Sequence, residues 1–294
     1  MPKIAPLGLR SFLFAPGNHA NKLGRVFGCG ADAVVLDLED AVPVAEKEAT
    51  RASVAAAMQR PRQARGYVRI NGLDTKFWTA DLEAVIGSWL DGIVLPKAEA
   101  AEQLRAVDVR MSQMERRAGI REGSTELMPI VETAKGVENA AAIAGASARI
   151  RRLSFGGGDY TRDLDLYWSE DEQELAYARA KLTHGSRVAG IEPPIDTVVL
   201  QVRDAERFRR SAVNGKRMGF QGKLCIHPGQ VPICHEVFTP SSEEIAQARA
   251  IIEAFAAAEA KGSASIQLDG LFIDYAIVYK SQRVLALAER IGAA

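Results

Sequence analysis

The chain has 294 residues, of which 47% are hydrophobic and 25% charged, a composition typical of a globular protein with a well-formed core. Its 37 basic and 37 acidic residues cancel, so no overall charge favours nucleic acid or an anionic membrane as a partner. No apolar stretch approaches the length of a membrane span, and the first ten residues lack the apolar segment of a secretory signal. The three cysteines form no CxxC motif, which favours reduced thiols and a cytoplasmic protein.

Apolar, β-rich segments alternate with helical patterns along the first 230 residues or so. The segments predicted as strands are 11–16, 33–40, 66–72, 91–97, 126–132, 150–160, 196–202 and 222–228. The helical patterns between them are 19–30, 43–60, 75–90, 101–119, 134–147, 171–190 and 204–219. Eight units of about 30 residues predict a parallel sheet closed into a (β/α)₈ TIM barrel. No GxGxxG follows the first strand, which argues against a dinucleotide-binding sheet.

From about residue 238 the pattern becomes mainly helical. Residues 240–262 begin with serines and acidic first-turn residues, which is typical of a capped helix. Residues 265–280 indicate a short extended piece with a turn, and 281–292 a last helix. We therefore predict a catalytic TIM-barrel domain over residues 1–237. A C-terminal helical extension over 238–294 should pack on the barrel or on a neighbouring subunit.

Charged side chains occur where the predicted strands end, which is where TIM barrels carry their chemistry. The candidates are Asp37, Glu39, Asp40, Arg69, Lys97, Glu132 and Asp159. Asp37 and Glu39 share one face of their strand because side chains alternate with a period of two. Acids outnumber bases in this set, and no histidine or cysteine has metal-ligand spacing. Oxygen ligands alone favour Mg²⁺ or Mn²⁺ over zinc.

Simpler interpretations of these residues stay open at this point. Asp37, Glu39 and Asp40 could form ion pairs with Arg69 and cap the following helix. Glu132 could be a helix-entry carboxylate stabilised by the helix dipole, and the three glycines before Asp159 could be a plain turn.

Eight motifs occur in order along nearly the whole chain. They are RSFLFAPGN (10–18), ADAVVLDLEDAVP (31–43, followed by Lys47 and Arg51), YVRINGLDT (67–75), DGIVLPKAE (91–99), PIVETAKG (129–136), FGGGDYTRDL (155–164), GFQGKLCIHPGQV (219–231) and DGLFID (269–274). Together they resemble the citrate lyase beta-chain-like family of the HpcH/HpaI aldolase superfamily, whose members include malyl-CoA, citramalyl-CoA and citryl lyases.

The resemblance implies a Mg²⁺-dependent enzyme that breaks or makes a carbon–carbon bond next to a thioester. The family glutamate falls on Glu132 and the acid after the glycines on Asp159, so both would be metal ligands. The family arginine falls on Arg69, which would contact the substrate and its thioester oxygen. We expect Lys97 and Glu132 to contact the substrate as well. The remaining acids would position these residues without contacting the substrate or the metal themselves; they are Asp37, Glu39 and Asp40.

The late acid of the family falls on Asp274, which would reach the active site of an adjacent subunit and exchange a proton with the acetyl group. This role requires a homo-oligomer, and the family suggests a trimer or hexamer. The alternative is that Asp274 only caps the last helix. One departure concerns Gly158, which stands where many relatives carry an acid and removes one charge beside the predicted metal.

The predicted reaction is retro-Claisen cleavage of a citramalyl-, malyl- or citryl-type CoA thioester to acetyl-CoA and a 2-oxo acid. Glyoxylate, pyruvate and oxaloacetate are not distinguished by the sequence. A malyl-CoA thioesterase that uses the same metal site is one alternative. A citrate lyase beta subunit that acts on a carrier-protein thioester is another. A CoA-independent aldolase is disfavoured by the long C-terminal segment with its DGLFID motif.

Overall fold

Residues 8–293 are described by a computed structural model, and the chain divides into two compact units. The first unit ends at His235 and the second begins at Glu236. Within residues 8–293, no helix combines the length and the apolar character needed to cross a membrane.

The first unit is a closed barrel of eight parallel strands in sequential order, β1 to β8. The strands are β1 (Ser11–Pro16), β2 (Ala33–Asp37), β3 (Arg65–Arg69), β4 (Gly92–Leu95), β5 (Glu126–Val131), β6 (Ser154–Phe155), β7 (Ile195–Asp196) and β8 (Gly222–Cys225). β1 closes the barrel by pairing with both β2 and β8. The predicted (β/α)₈ TIM barrel is therefore confirmed.

Helices follow the strands, with short 3-10 turns at 26–28, 44–46 and 173–175. They are α1 (Ala20–Arg25), α2 (Lys47–Met58), α3 (Trp78–Val85), α4 (Ala101–Arg117), α5 (Ala134–Glu138), α6 (Ala140–Ala144), α7 (Gly157–Asp163), α8 (Ala176–Ala189), α9 (Ala205–Arg217) and α10 (Gln230–Phe238). α4 shows why they pack: Leu104, Val107, Met111 and Met114 recur at steps of three and four and are buried. Each such side chain contributes about 1.5–3 kcal/mol by leaving water.

The second unit contains α11 (Ser242–Glu259), a hairpin of β9 (Ile266–Leu268) and β10 (Leu271–Ile273), and α12 (Tyr275–Arg290). Ser241 and Glu244 form a capping box at the start of α11, as the sequence indicates. A small apolar cluster of Ile251, Phe255, Ile273 and Val278 is buried within this unit.

Several elements differ from the predictions, among them the predicted strand 196–202, of which only Asp196 lies in β7. Strand 150–160 shrinks to two residues because the glycine run opens α7. The sequence analysis missed α10, which contains Pro232; that proline lies in the first turn, where its missing N–H has no partner to lose. α12 begins at Tyr275, six residues before the predicted 281, since the β-branched run there indicated extended structure.

The barrel interior is filled by apolar side chains that alternate with outward-facing ones along each strand. This cluster comprises Leu9, Phe12, Ala33, Val35, Tyr67, Val94, Met128, Ile130, Ile195 and Leu224. Continued by two residues, the inward row leads from Val35 to Asp37, from Tyr67 to Arg69 and from Ile130 to Glu132. The same alternation that builds the core thus places charged side chains at the carboxyl ends of the barrel strands.

Candidate active site at the carboxyl ends of the strands

Arg69 lies at the centre of a group of acids at the ends of β2 and β3. Its Nε and Nη2 donate to the two carboxylate oxygens of Asp37 at 2.7 and 2.6 Å, a two-point ion pair. Its Nη1 lies 2.8 Å from Glu39 Oε2 and 3.5 Å from Asp40, which is more than half exposed. Burial opposes the ionisation of Asp37, but Arg69 outweighs it and holds the pKa of Asp37 below its ordinary value.

Glu39 connects this group to β4. Lys97 Nζ donates to Glu39 Oε1 at 2.9 Å, while the buried Glu39 Oε2 faces Arg69 Nη1 as an ion pair without hydrogen-bond geometry. Burial raises the pKa of Glu39, and the nearby Arg69 counteracts part of that rise. The ammonium of Lys47 bonds the carbonyls of Leu38 and Glu39 at 3.0 and 2.8 Å, which fixes the backbone beneath the carboxylate.

All three acids lie within ion-pair distance of Arg69, as the ion-pair interpretation of Asp37, Glu39 and Asp40 expects.

Glu132 is placed differently from these acids. Its side chain is only 3% exposed, and its Oε1 accepts the backbone N–H of Lys97 at 2.7 Å. Across residues 8–293 no lysine, arginine or histidine forms an ion pair with it. Burial, followed by the charge of Asp159, raises the pKa of Glu132 to about 8.

Asp159 occupies the first turn of α7, three residues after Gly156. Arg162, which is largely exposed, forms an ion pair with it at 2.7 Å. Gly156 packs against the Glu132 side chain so closely that a Cβ there would overlap it, and a Cβ on Gly157 would lie 2.9 Å from Thr197 Oγ1. The glycines thus permit close approach at the start of a helix, and the plain-turn interpretation is wrong.

The donor set can be tested against a divalent cation. No group of three or more His, Cys, Asp or Glu side chains is arranged around a common point in the described part of the chain, which disfavours a fully protein-enclosed metal. Mg²⁺ is commonly bound by one or two carboxylates, with water and substrate completing its coordination. Two mutually repelling carboxylates, one of them without a cationic partner, fit that requirement.

Asp274 belongs to the second unit, where it precedes α12. Its carboxylate accepts the N–H groups of Ala276 and Ile277 at 3.0 and 3.2 Å, so it caps this helix. Its catalytic role stays a prediction.

The sequence analysis missed Asp81 of α3, which is completely buried. Asp81 accepts the backbone and side-chain N–H groups of Asn71 at 3.0 and 2.7 Å and pairs with Arg51 at 2.7 Å. It therefore fixes the backbone just beyond Arg69. The one available signal was a lone acid on the apolar side of a short amphipathic helix.

With this geometry established, the chain can be compared with known proteins. The model of the HpcH/HpaI aldolase/citrate lyase family matches residues 10–228. The chain belongs to this family. It is 37% identical to the citrate lyase subunit beta of Leuconostoc mesenteroides subsp. cremoris, over 95% of this chain and 93% of the relative. It is 32% identical to an L-malyl-CoA/beta-methylmalyl-CoA lyase of Cereibacter sphaeroides, over 97% and 96%.

A similar solved structure is CitE from Mycobacterium tuberculosis in complex with magnesium, acetoacetate and coenzyme A. It is 26% identical, has a TM-score of 0.79, and the match covers 97% of this chain and 100% of that one. The relatives' names are those of carbon–carbon lyases, and this chain is a lyase of the same family.

Proposed function

We propose that this lyase cleaves a 3-hydroxyacyl-CoA of the citramalyl, malyl or citryl type to acetyl-CoA and a 2-oxo acid, with Mg²⁺ as cofactor. The observation that carries the proposal is Glu132, a buried carboxylate beside Asp159 that lacks a cationic partner within residues 8–293. Such an arrangement is costly unless a cation joins it. The magnesium and coenzyme A bound to the Mycobacterium tuberculosis relative support the same assignment.

Glu132 and Asp159 would hold Mg²⁺, or Mn²⁺ in its place. Bound there, the ion would supply Lewis-acid chemistry that lowers the pKa of the substrate hydroxyl. The Lys97 ammonium, which is one-third exposed and held by Glu39, would contact the carboxylate of the oxo-acid portion. These contacts orient the bond to be broken.

Arg69 would stabilise the charge that develops on the thioester oxygen. As the hydroxyl proton passes to water, the oxygen becomes the carbonyl of the 2-oxo acid. The electron pair of the broken carbon–carbon bond moves into the thioester as an enolate. Two of the guanidinium nitrogens are fixed by Asp37, whereas Nη1 lies 2.8 Å from Glu39 Oε2 and makes a weaker contact with Asp40 at 3.5 Å. Substrate would replace that weak contact, and a donor fixed in this way contributes several kcal/mol to the transition state.

Asp274 of an adjacent subunit would return a proton to the acetyl carbon, so we propose a homo-oligomer, a trimer or hexamer. We also propose that the protein is cytoplasmic, because its three cysteines are free thiols and a reducing compartment keeps thiols in that state.

A second candidate is the beta subunit of a citrate lyase, which acts on a carrier-protein thioester. The identity of 37% to the Leuconostoc subunit, against 32% to the malyl-CoA lyase, favours it.

The purified chain should be incubated with Mg²⁺ and each of citramalyl-, malyl- and citryl-CoA, and separately with a citryl thioester of an acyl-carrier protein, and the products separated. Acetyl-CoA together with a 2-oxo acid supports the proposal. Free CoA together with an intact hydroxy acid would identify a thioesterase. Turnover restricted to the acyl-carrier-protein thioester would establish the second candidate, and inactivity on every thioester would overturn both.

A further inference from the structure

The ends of the barrel strands follow a regular hydrogen-bonding rule. In a parallel ladder, at every second pair, the residue after the paired position donates its N–H to the carbonyl of the partner. Asp37 pairs with Arg69, and the next residue, Leu38, donates to Arg69 O at 2.9 Å. Arg69 in turn pairs with Val94, and Ile70 donates to Val94 O at 3.1 Å.

The end of β4 breaks this rule by one residue. Its last register pair is Leu95 with Pro129. One pair further on, the regular ladder would make Lys97 the donor to Ile130 O. Instead Ala98 makes that bond at 3.0 Å, and Lys97 adopts the left-handed conformation with φ +52°. One extra residue has therefore been inserted, which is a β-bulge.

The bulge releases one N–H from the sheet and directs it into the candidate site. The released N–H of Lys97 donates to Glu132 Oε1 at 2.7 Å, a charge-assisted bond to the carboxylate. The other oxygen, Oε2, lies against Gly156, where a Cβ would overlap it. The carboxylate is thus held on one side by a backbone donor and given room on the other.

Lysine is an unusual residue for this conformation, which glycine and asparagine adopt at lower cost. Its Nζ bonds Glu39 at 2.9 Å, so the same residue holds Glu132 through its backbone and Glu39 through its side chain.

We infer that the bulge at Lys97 is a positioning device: its backbone conformation, rather than its ammonium group, orients Glu132 for Mg²⁺. The inference rests on the proposed function, since it presupposes that Glu132 is a metal ligand. Groups that orient a metal ligand commonly change metal affinity by about 10–100-fold when they are lost.

Three substitutions separate the backbone from the side chain, because all of them remove the ammonium. Lys97→Gly and Lys97→Asn keep the left-handed conformation accessible, whereas Lys97→Val disfavours it through its branched Cβ. Mg²⁺ affinity is measured by calorimetric titration of the purified, chelator-treated protein, and melting temperature is recorded without metal. The Glu132→Gln variant, which lacks the proposed carboxylate ligand of the metal, serves as the control.

We expect the Gly and Asn variants to bind Mg²⁺ with similar affinity and the Val variant about tenfold or more weakly. A purely structural role would lower the melting temperature of the Val variant without separating the affinities. Equal affinity of the folded Val and Asn variants would overturn the inference while leaving the metal site in place.

If the Val variant does not fold, Lys97→Ala replaces it. An affinity below that of the Gly variant supports the inference, and an affinity equal to it refutes the inference. Failure of the wild-type protein to bind Mg²⁺ would overturn the proposed metal site, and this inference with it.

Discussion

Replacing Glu132 by glutamine should stabilise the metal-free protein while abolishing its activity. The glutamine keeps the shape of the side chain, and its Oε1 can still accept the Lys97 N–H. It removes the charge that burial and Asp159 disfavour. Sites tuned for function commonly sacrifice stability in this way.

The magnitude follows from the pKa of Glu132, about 8 in the folded chain against an ordinary 4.5. The folded state therefore binds this proton more tightly than the unfolded state does. Stability is full below pH 4.5 and decreases as pH rises towards 8. A difference of this size corresponds to at most about 5 kcal/mol above pH 8. Because glutamine also loses water on burial, we expect the variant to gain about 2–3 kcal/mol at pH 8.

Urea unfolding in EDTA at pH 5 and pH 8 measures this directly. The free energy of unfolding of the wild type, compared with that of the Glu132→Gln variant, should be similar at pH 5 and lower at pH 8. Added Mg²⁺ should raise the wild-type stability and leave the variant unchanged. Equal stability of the two proteins at pH 8 in EDTA would refute the reasoning, since the carboxylate would then carry no penalty that a metal relieves.

Three further predictions concern the metal, the arginine and the second unit. Lyase turnover should disappear in EDTA and return with Mg²⁺ or Mn²⁺; full turnover in chelator would contradict the metal assignment. Arg69→Lys should lower kcat/KM at least about tenfold in steady-state assays, because an ammonium cannot reproduce the two-point contact with Asp37. Near-normal turnover would mean that Arg69 only neutralises the neighbouring acids and does not contact the substrate. Asp274→Asn should fold normally, since asparagine also caps helices, yet lose most turnover. Mixing it with the Glu132→Gln variant should restore part of the activity, and no recovery despite demonstrated subunit exchange would exclude a shared site.

The barrel could be predicted from the sequence because its signal is periodic and repeated. The first strand was predicted with the bounds observed for β1, and the fifth ends one residue earlier than predicted. The sixth and seventh extend far less than their β-rich segments, since only Ser154–Phe155 and Ile195–Asp196 pair. The apolar residues outside the ladder differ in their surroundings: Ile150 and Leu153 are buried before β6 begins, whereas Leu200 and Val202 are exposed after β7 ends.

The site was predictable as a set of residues but not as an arrangement. That Asp37 and Arg69 would both end neighbouring strands follows from their spacing, and the register confirms that they lie opposite each other. The bulge at Lys97 left no sequence signal, because lysine is not a residue that predicts a left-handed conformation. Asp81 was missed because its partners, Asn71 and Arg51, come from other elements.

Two acids at the carboxyl ends of the strands, Asp37 and Glu132, show why a cation would bind beside one of them and not beside the other. Asp37 and Glu132 both follow inward rows of the barrel, and both are almost fully buried, at 1% and 3% exposure. Their pKa values nevertheless move in opposite directions, because Asp37 faces Arg69 whereas Glu132 faces Asp159. The first carboxylate is already neutralised by the protein, and a metal there would have to displace a two-point ion pair. The second is held in place by a backbone N–H that supplies no net charge, so its negative charge can be met by a cation from solution.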